Sequence, residues 1–208
     1  MCCRYYYEDF ERELRELLKA EETVKLPGIP SEESGRKDIH PSDPAIVLHG
    51  GRGKSGVQED AVSISEMAWG FSNPVNKGLI INARAETVRE KKTFADSIAK
   101  RRCVIPASGF YEWDRYKSKF RFTSPDGGLI LLAGFYREEQ GVPRFTVLTT
   151  EANDSMIKVH DRMPVMIGRD EIMSWIKDDA MLPEFLGRRQ TELVCEMDTG
   201  QIRMDFGI

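Results

Sequence analysis

The chain has only three histidines and four cysteines in 208 residues, few imidazoles and thiols with which to hold zinc. Cys2, Cys3, Cys103 and Cys195 contain no CxxC pair and no disulfide framework, and no zinc-ligand spacing links them to a histidine. Free thiols in a reducing compartment are the economical reading, with no metal and no cofactor. The chain also lacks an apolar run of roughly 20 residues, so no membrane span is expected. Its first residues, MCCRYYYEDFERELREL, are too charged for a signal peptide. Together these absences predict a cytoplasmic protein. Positive charge is short as well: 30 Lys and Arg against 34 Asp and Glu leave a formal net charge of −4. That excludes a general coat of positive potential, so any nucleic-acid binding must come from a local basic groove. There is no internal repeat and no low-complexity linker, and the length suits a single domain over residues 1–208 with a real core.

The hydrophobic patterning predicts which elements form that core. Asp9 to Glu22 carries Phe10, Leu14, Leu17 and Leu18 on one stripe, an amphipathic helix. Residues 26–44 are rich in Pro, Ser and Gly and read as an irregular loop. Short β-like runs follow at 45–49, 62–71, 79–84, 102–113, 120–122, 129–136 and 144–150, with a closing strand at 193–198. Helices are expected at Lys92–Lys100, Asp170–Lys177 and Leu182–Leu186. Strands dominate the middle and helices interrupt them irregularly, which is not βα alternation. The expected class is α+β, with a mostly antiparallel twisted sheet or barrel-like core and surrounding helices.

The chemistry begins at Cys2. If Met1 is trimmed, Cys2 carries an α-amine with pKa near ~8 beside a thiol near ~8.5. An aldehyde attacked by that amine gives an imine, on which the neighbouring thiol closes to a five-membered thiazolidine. No internal cysteine has both groups. Arg4 stands beside it. Asn82, Arg84 and Glu86 alternate in NARAET and share one face of a strand end. Glu112 lies between Tyr111 and Trp113, where burial would raise its pKa and suit it to proton transfer. His160 and Arg162 open KVHDRMPV. Each has a bland reading: Asn82 capping a turn, Glu112 paired with Arg115 or Arg102, His160 satisfied within a turn. Together a thiol, a carboxylate, a histidine and an amide make a coherent nucleophilic site.

MCCRY, the PSD of DIHPSDPAIVL, MAWGF, NARAET, RRCVIPASGFYEW and HDRMPV, in this order and spacing, closely resemble the SOS response-associated peptidase (SRAP) family. The resemblance implies an abasic-site processing protein that shields abasic sites in single-stranded DNA through a thiazolidine cross-link; a monomer is expected. Possible side activities are abasic-site lyase and autopeptidase. Matched residue by residue, the catalytic set falls on Cys2, Asn82, Glu112 and His160. The DNA-contacting arginines fall on Arg4, Arg84 and Arg162, the wedging loop proline on Pro41 and the WG aromatic on Trp69. Trp113 and Thr149 are further candidates for the same surface. Two departures stand out: Cys3 replaces the usual glycine after the cysteine, and Asp38-Ile39-His40 differs from the usual residues before the loop proline.

Three rivals remain. Cys2, His160 and Asn82 can be arranged as the trio of a cysteine peptidase. A non-catalytic single-stranded DNA binder would leave Cys2 incidental, with salt-sensitive binding and no cross-link. A P-loop in GGRGKSG fails, because its first glycine would fall on Leu48 and no helix signal follows Ser55; a solvated hairpin loop is expected there.

Overall fold

The computed structural model describes residues 3–19, 36–52 and 58–199. In chain order the strands and helices are β1 (Arg4–Tyr7), α1 (Phe10–Leu18), β2 (Lys37–Ile39), β3 (Pro44–Arg52), β4 (Gln58–Trp69), β5 (Phe71–Ser72), β6 (Leu79–Ile80) and β7 (Asn82–Arg84). They continue with α2 (Lys92–Lys100), β8 (Arg102–Ala107), β9 (Gly109–Trp113), β10 (Lys119–Thr123), β11 (Ile130–Glu139), β12 (Val142–Glu151), β13 (Arg162–Pro164), α3 (Ile172–Lys177), α4 (Leu182–Gly187) and β14 (Val194–Met197).

Five strands close on themselves. β3 pairs with β4 and β8, β8 with β11, β11 with β12, and β12 returns to β4. Only the β4–β12 contact in this ring is parallel, through Arg144–Ala68 and Phe145–Trp69. Closure removes the exposed edges that an open sheet would present. Pro106 sits in β8 without breaking the ring, because β3 meets β8 only at Cys103 and Val104. Beyond them β8 has β11 alone as neighbour, and a residue without an N–H is tolerated at such an edge. β7 and β13 add to opposite flanks of β12, β7 parallel and β13 antiparallel.

A second, antiparallel sheet runs β14-β10-β9-β1-β2. The chain enters it directly from the barrel at Ser108, whose hydroxyl donates to the Glu8 carbonyl and accepts the Glu8 N–H, both at 2.9 Å. The two sheets pack through aromatic rings. Tyr5 lies 5.1 Å from Trp69, and the Ile46 N–H donates to the Tyr7 hydroxyl at 3.0 Å. Gly109 is required where β9 begins: a Cβ there would collide with the Tyr6 hydroxyl and stand 2.6 Å from the Phe122 carbonyl. Gly109→Ala is therefore expected to lower stability by about 1–3 kcal/mol, the usual range for overpacking, in a denaturant titration.

The expected α+β class with a barrel-like core holds. Helix α2 occupies the predicted span, while α1 ends at Leu18. The predicted run 102–113 is two strands in different sheets. β2 lies inside the stretch read as irregular; its Lys-Asp-Ile sequence carries no pattern, and it forms as an edge strand through backbone pairing with β1.

Candidate functional site

β1 pairs antiparallel with β9, Arg4 opposite Tyr111 and Tyr5 opposite Phe110. Continuing that register one residue toward the N-terminus brings Cys3 level with Glu112. Glu112 is 3% exposed. The Cys3 thiol is pushed above its ordinary pKa by burial and then by the Glu112 charge, with Arg4 opposing. The buried carboxylate expected from FYEW is therefore beside Cys3. Cys2 itself lies outside the described residues. Glu112 does not pair with Arg102, which donates instead to the Ile98 and Trp175 carbonyls and pairs with Asp179 at 2.8 Å.

Alternation along β1 and β9 places Arg4 on the opposite sheet face. Its guanidinium lies 5.3 Å over the half-buried Trp113 ring and 3.5 Å from Asp38. Pro41 occupies the second position of a β-turn closed by Asp43 N–H to His40 O at 3.0 Å, with Ser42 at φ 76°. A proline followed by a positive φ is the pattern of a type II turn, here with a serine where glycine is favoured. The turn is clamped to the end of β4 by Ser42 N–H to Trp69 O at 2.8 Å and Trp69 N–H to Asp43 O at 3.0 Å.

Asn82 and Arg84 lie on β7, opposite Val147 and Thr149 of β12; Arg84 is exposed and Asn82 half-buried. Glu86 does not continue that strand but sits in the turn beyond it. There it takes both terminal nitrogens of Arg162, at 2.7 and 2.8 Å, and Arg162 also donates to the Thr149 carbonyl at 2.7 Å. These bonds hold the Glu86 carboxyl below its ordinary pKa. His160 precedes β13. Its Nδ1 accepts the Arg162 N–H at 3.0 Å and stands 2.9 Å from Asp161 Oδ1. The amide contact requires a bare Nδ1, whereas the carboxylate contact favours a protonated one.

Three of the expected DNA contacts have partners within the protein. Trp69 is 0% exposed, stacked with Phe145 at 6.3 Å and donating Nε1–H to the Ile81 carbonyl at 3.0 Å, so its face is unavailable to a DNA base. It braces the Pro41 turn instead. Thr149 is 0% exposed with its hydroxyl on the Ala83 carbonyl, so it cannot meet DNA through its side chain. Arg162 is committed to Glu86 and Thr149, and a phosphate could take it only by displacing Glu86. Sequence reading did not identify Asp38 and Glu86 as partners of Arg4 and Arg162. Glu86 sits within NARAET, but nothing local shows which cation it meets.

GGRGKSG joins the antiparallel strands β3 and β4 rather than a strand and a helix, which rules out a phosphate-cradling P-loop. Residues 53–57 of that connection lie outside the described residues. Among the described residues no three His, Cys, Asp or Glu side chains gather as a metal site, and no helix is long and apolar enough to cross a membrane.

Known proteins resemble this architecture. The abasic site processing protein YoaM of Bacillus subtilis is 36% identical over 137 residues, 59% of this chain and 60% of the relative. YoqW of the same species is 34% identical over 137 residues, 59% of this chain and 61% of that protein. The match thus spans about three-fifths of these relatives' length. YedK of Escherichia coli, also named an abasic site processing protein, is 22% identical over 187 residues, 86% of this chain and 81% of YedK. A crystal structure of a Bordetella bronchiseptica protein shares the fold, with TM-score 0.71 at 22% identity, covering 94% of this chain and 99% of that one. With a family model described as SOS response associated peptidase (SRAP) matching residues 1–199, the chain belongs to the SRAP family.

Proposed function

We propose that this protein captures abasic sites in single-stranded DNA, forming a thiazolidine between Cys2, after removal of Met1, and the ring-opened sugar. The observation that carries this reading is the β1–β9 pairing, which sets Cys3, the residue after Cys2, level with the buried Glu112. The names of YoaM, YoqW and YedK support the substrate class.

The chemistry balances without an oxidant. The α-amine of Cys2 adds to the C1′ aldehyde, and the carbinolamine loses water to give an imine. The Cys2 sulfur then adds to the imine carbon while the nitrogen takes a proton. The net change is one water lost. His160 Nε2 serves the opening of the cyclic hemiacetal, Glu112 moves protons during capture and closure, and Asn82 orients the amine or a sugar oxygen. Cys3 cannot take this role, because its nitrogen lies in a peptide bond and only a free α-amine forms the imine; burial and the Glu112 charge also raise its thiol pKa. Arg4, Arg84, Pro41 and Trp113 supply the basic and apolar contacts a single strand needs.

Intact mass spectrometry of the mature protein mixed with abasic single-stranded DNA tests the reading. The expected species has the summed mass less one water, and its absence overturns the proposal. A cysteine peptidase using Cys2, His160 and Asn82 would instead cleave peptide substrates and give no role to Arg84.

The arginines separate further. Arg84→Ala is expected to weaken DNA binding and flatten its log–log salt slope by about 0.7, one single-strand phosphate contact, with little change in melting temperature. Arg162→Ala strands Glu86 and the Thr149 carbonyl, and is expected to cost about 1–3 kcal/mol of stability as well. Salt-dependent anisotropy and thermal melts of the two variants check this. Equal melting losses would show that Arg84 is as structural as Arg162.

A further inference from the structure

A cleft of about 360 Å³ opens beside Asn82, between β7, the loop joining β5 to β6, and the start of α2. Its lining includes Arg84 and Lys91 and no carboxylate. That is unusual on a chain whose acids outnumber its bases, and it marks the cleft as a seat for an anion. Both cations are exposed. Asn73, Asn82 and Thr93 add uncharged polar groups, and the remainder is apolar: Phe94, 5% exposed, lies in the wall, and Val75 stands at the rim, 88% exposed.

The position of Val75 is held by its loop. Its own N–H donates to Asn73 Oδ1 at 2.9 Å, the Gly78 N–H donates to Asn76 Oδ1 at 2.8 Å, and Asn73 N–H to Gly78 O at 3.1 Å closes the base of the loop. A branched aliphatic side chain is thus fixed in water at the mouth of a cationic cleft. The volume is at the small end of the ~300–1,000 Å³ of ligand pockets, suited to one nucleotide rather than a longer segment.

We infer that this cleft seats the nucleotide flanking the abasic site, its phosphate between Arg84 and Lys91 and its base against Val75. The inference rests on the proposed capture of abasic DNA and adds Lys91 and Val75 to the binding surface. It makes the protein sensitive to the base on one side of the lesion.

The test uses fluorescein-labelled single strands with a central tetrahydrofuran, a non-reactive abasic analogue. Three versions keep both neighbouring bases, lack the 5′ base, or lack the 3′ base. Wild-type protein is expected to bind one of the two base-deleted strands about five-fold more weakly, the lower end of a base contact. Val75→Ser, at an exposed position that leaves folding undisturbed, should show that weaker affinity with the full strand and no further loss on deletion. Lys91→Gln should flatten the salt slope by about 0.7. Wild-type indifference to both deletions, or an unchanged base preference in Val75→Ser, would overturn the inference. A parallel cross-linking assay of wild-type protein on a natural abasic strand separates the two levels. No cross-link removes the capture reading and this one with it; a cross-link with base-indifferent binding removes this one alone.

Discussion

Cys2→Ala is expected to abolish the heat- and denaturant-resistant adduct with abasic single-stranded DNA. A thiazolidine needs both nucleophiles on adjacent carbons, and the variant keeps only the amine. Its remaining α-amine, with a pKa near ~8, still forms an imine. A borohydride-trappable adduct and strand cleavage by β-elimination should therefore persist while the stable product disappears. Undamaged DNA, or abasic DNA reduced beforehand, should give neither product. Cys3→Ala is the matched control: the Cys3 thiol is held protonated by burial and by Glu112, so its removal should leave the stable adduct in place. Denaturing gels with and without borohydride read all of these. A stable adduct of undiminished yield in Cys2→Ala would move the chemistry away from the N-terminus, and loss of the adduct in Cys3→Ala would move it by one residue.

Glu112→Gln and His160→Ala are expected to slow cross-linking at different steps, each by about 10²-fold or more, the scale of a lost general acid or base. Glu112 is a buried residue of β9, level with Cys3 across the β1–β9 pairing, and is proposed to serve imine formation and closure. The glutamine variant keeps its shape and removes only the titratable group. His160 stands at the entry to β13, with Nδ1 accepting the Arg162 N–H. An acyclic aldehyde substrate, which needs no ring opening, should restore most of the rate to His160→Ala and none to Glu112→Gln. Single-turnover time courses with the cyclic and acyclic substrates decide it. Rescue of both variants, or of neither, would refute this division of labour while leaving the covalent step at Cys2 intact.

Local pattern was enough to find most of the elements. Lys92–Lys100 is a helix in both readings because its stripe of Phe94 and Ile98 repeats at helical spacing. The β-like runs became strands because alternation and β-branched residues act within a few neighbours. The candidate reactive groups stood out for the same reason: a cysteine next to Met1, a carboxylate between aromatics and a histidine beside an aspartate are chemical facts of adjacent residues.

What lay beyond reach depended on contacts far apart in the chain. Nothing in residues 102–113 marks Ser108 as the point where one apolar run leaves the barrel for another sheet. The parallel contact of Ala68 and Trp69 with Arg144 and Phe145 closes the ring across some 75 residues, and it is made by backbone groups that every residue carries. The partners of the expected contact residues were out of reach for the same reason. Trp69 offers an aromatic face that suits stacking on a base, and only the arrival of Tyr5 and Phe145 on either side shows that the face is taken. Arg162 suits a phosphate equally well until Glu86, 76 positions away, folds back against it. A side chain's chemistry is set by its own atoms, but its availability is set by whichever distant groups exclude water from it.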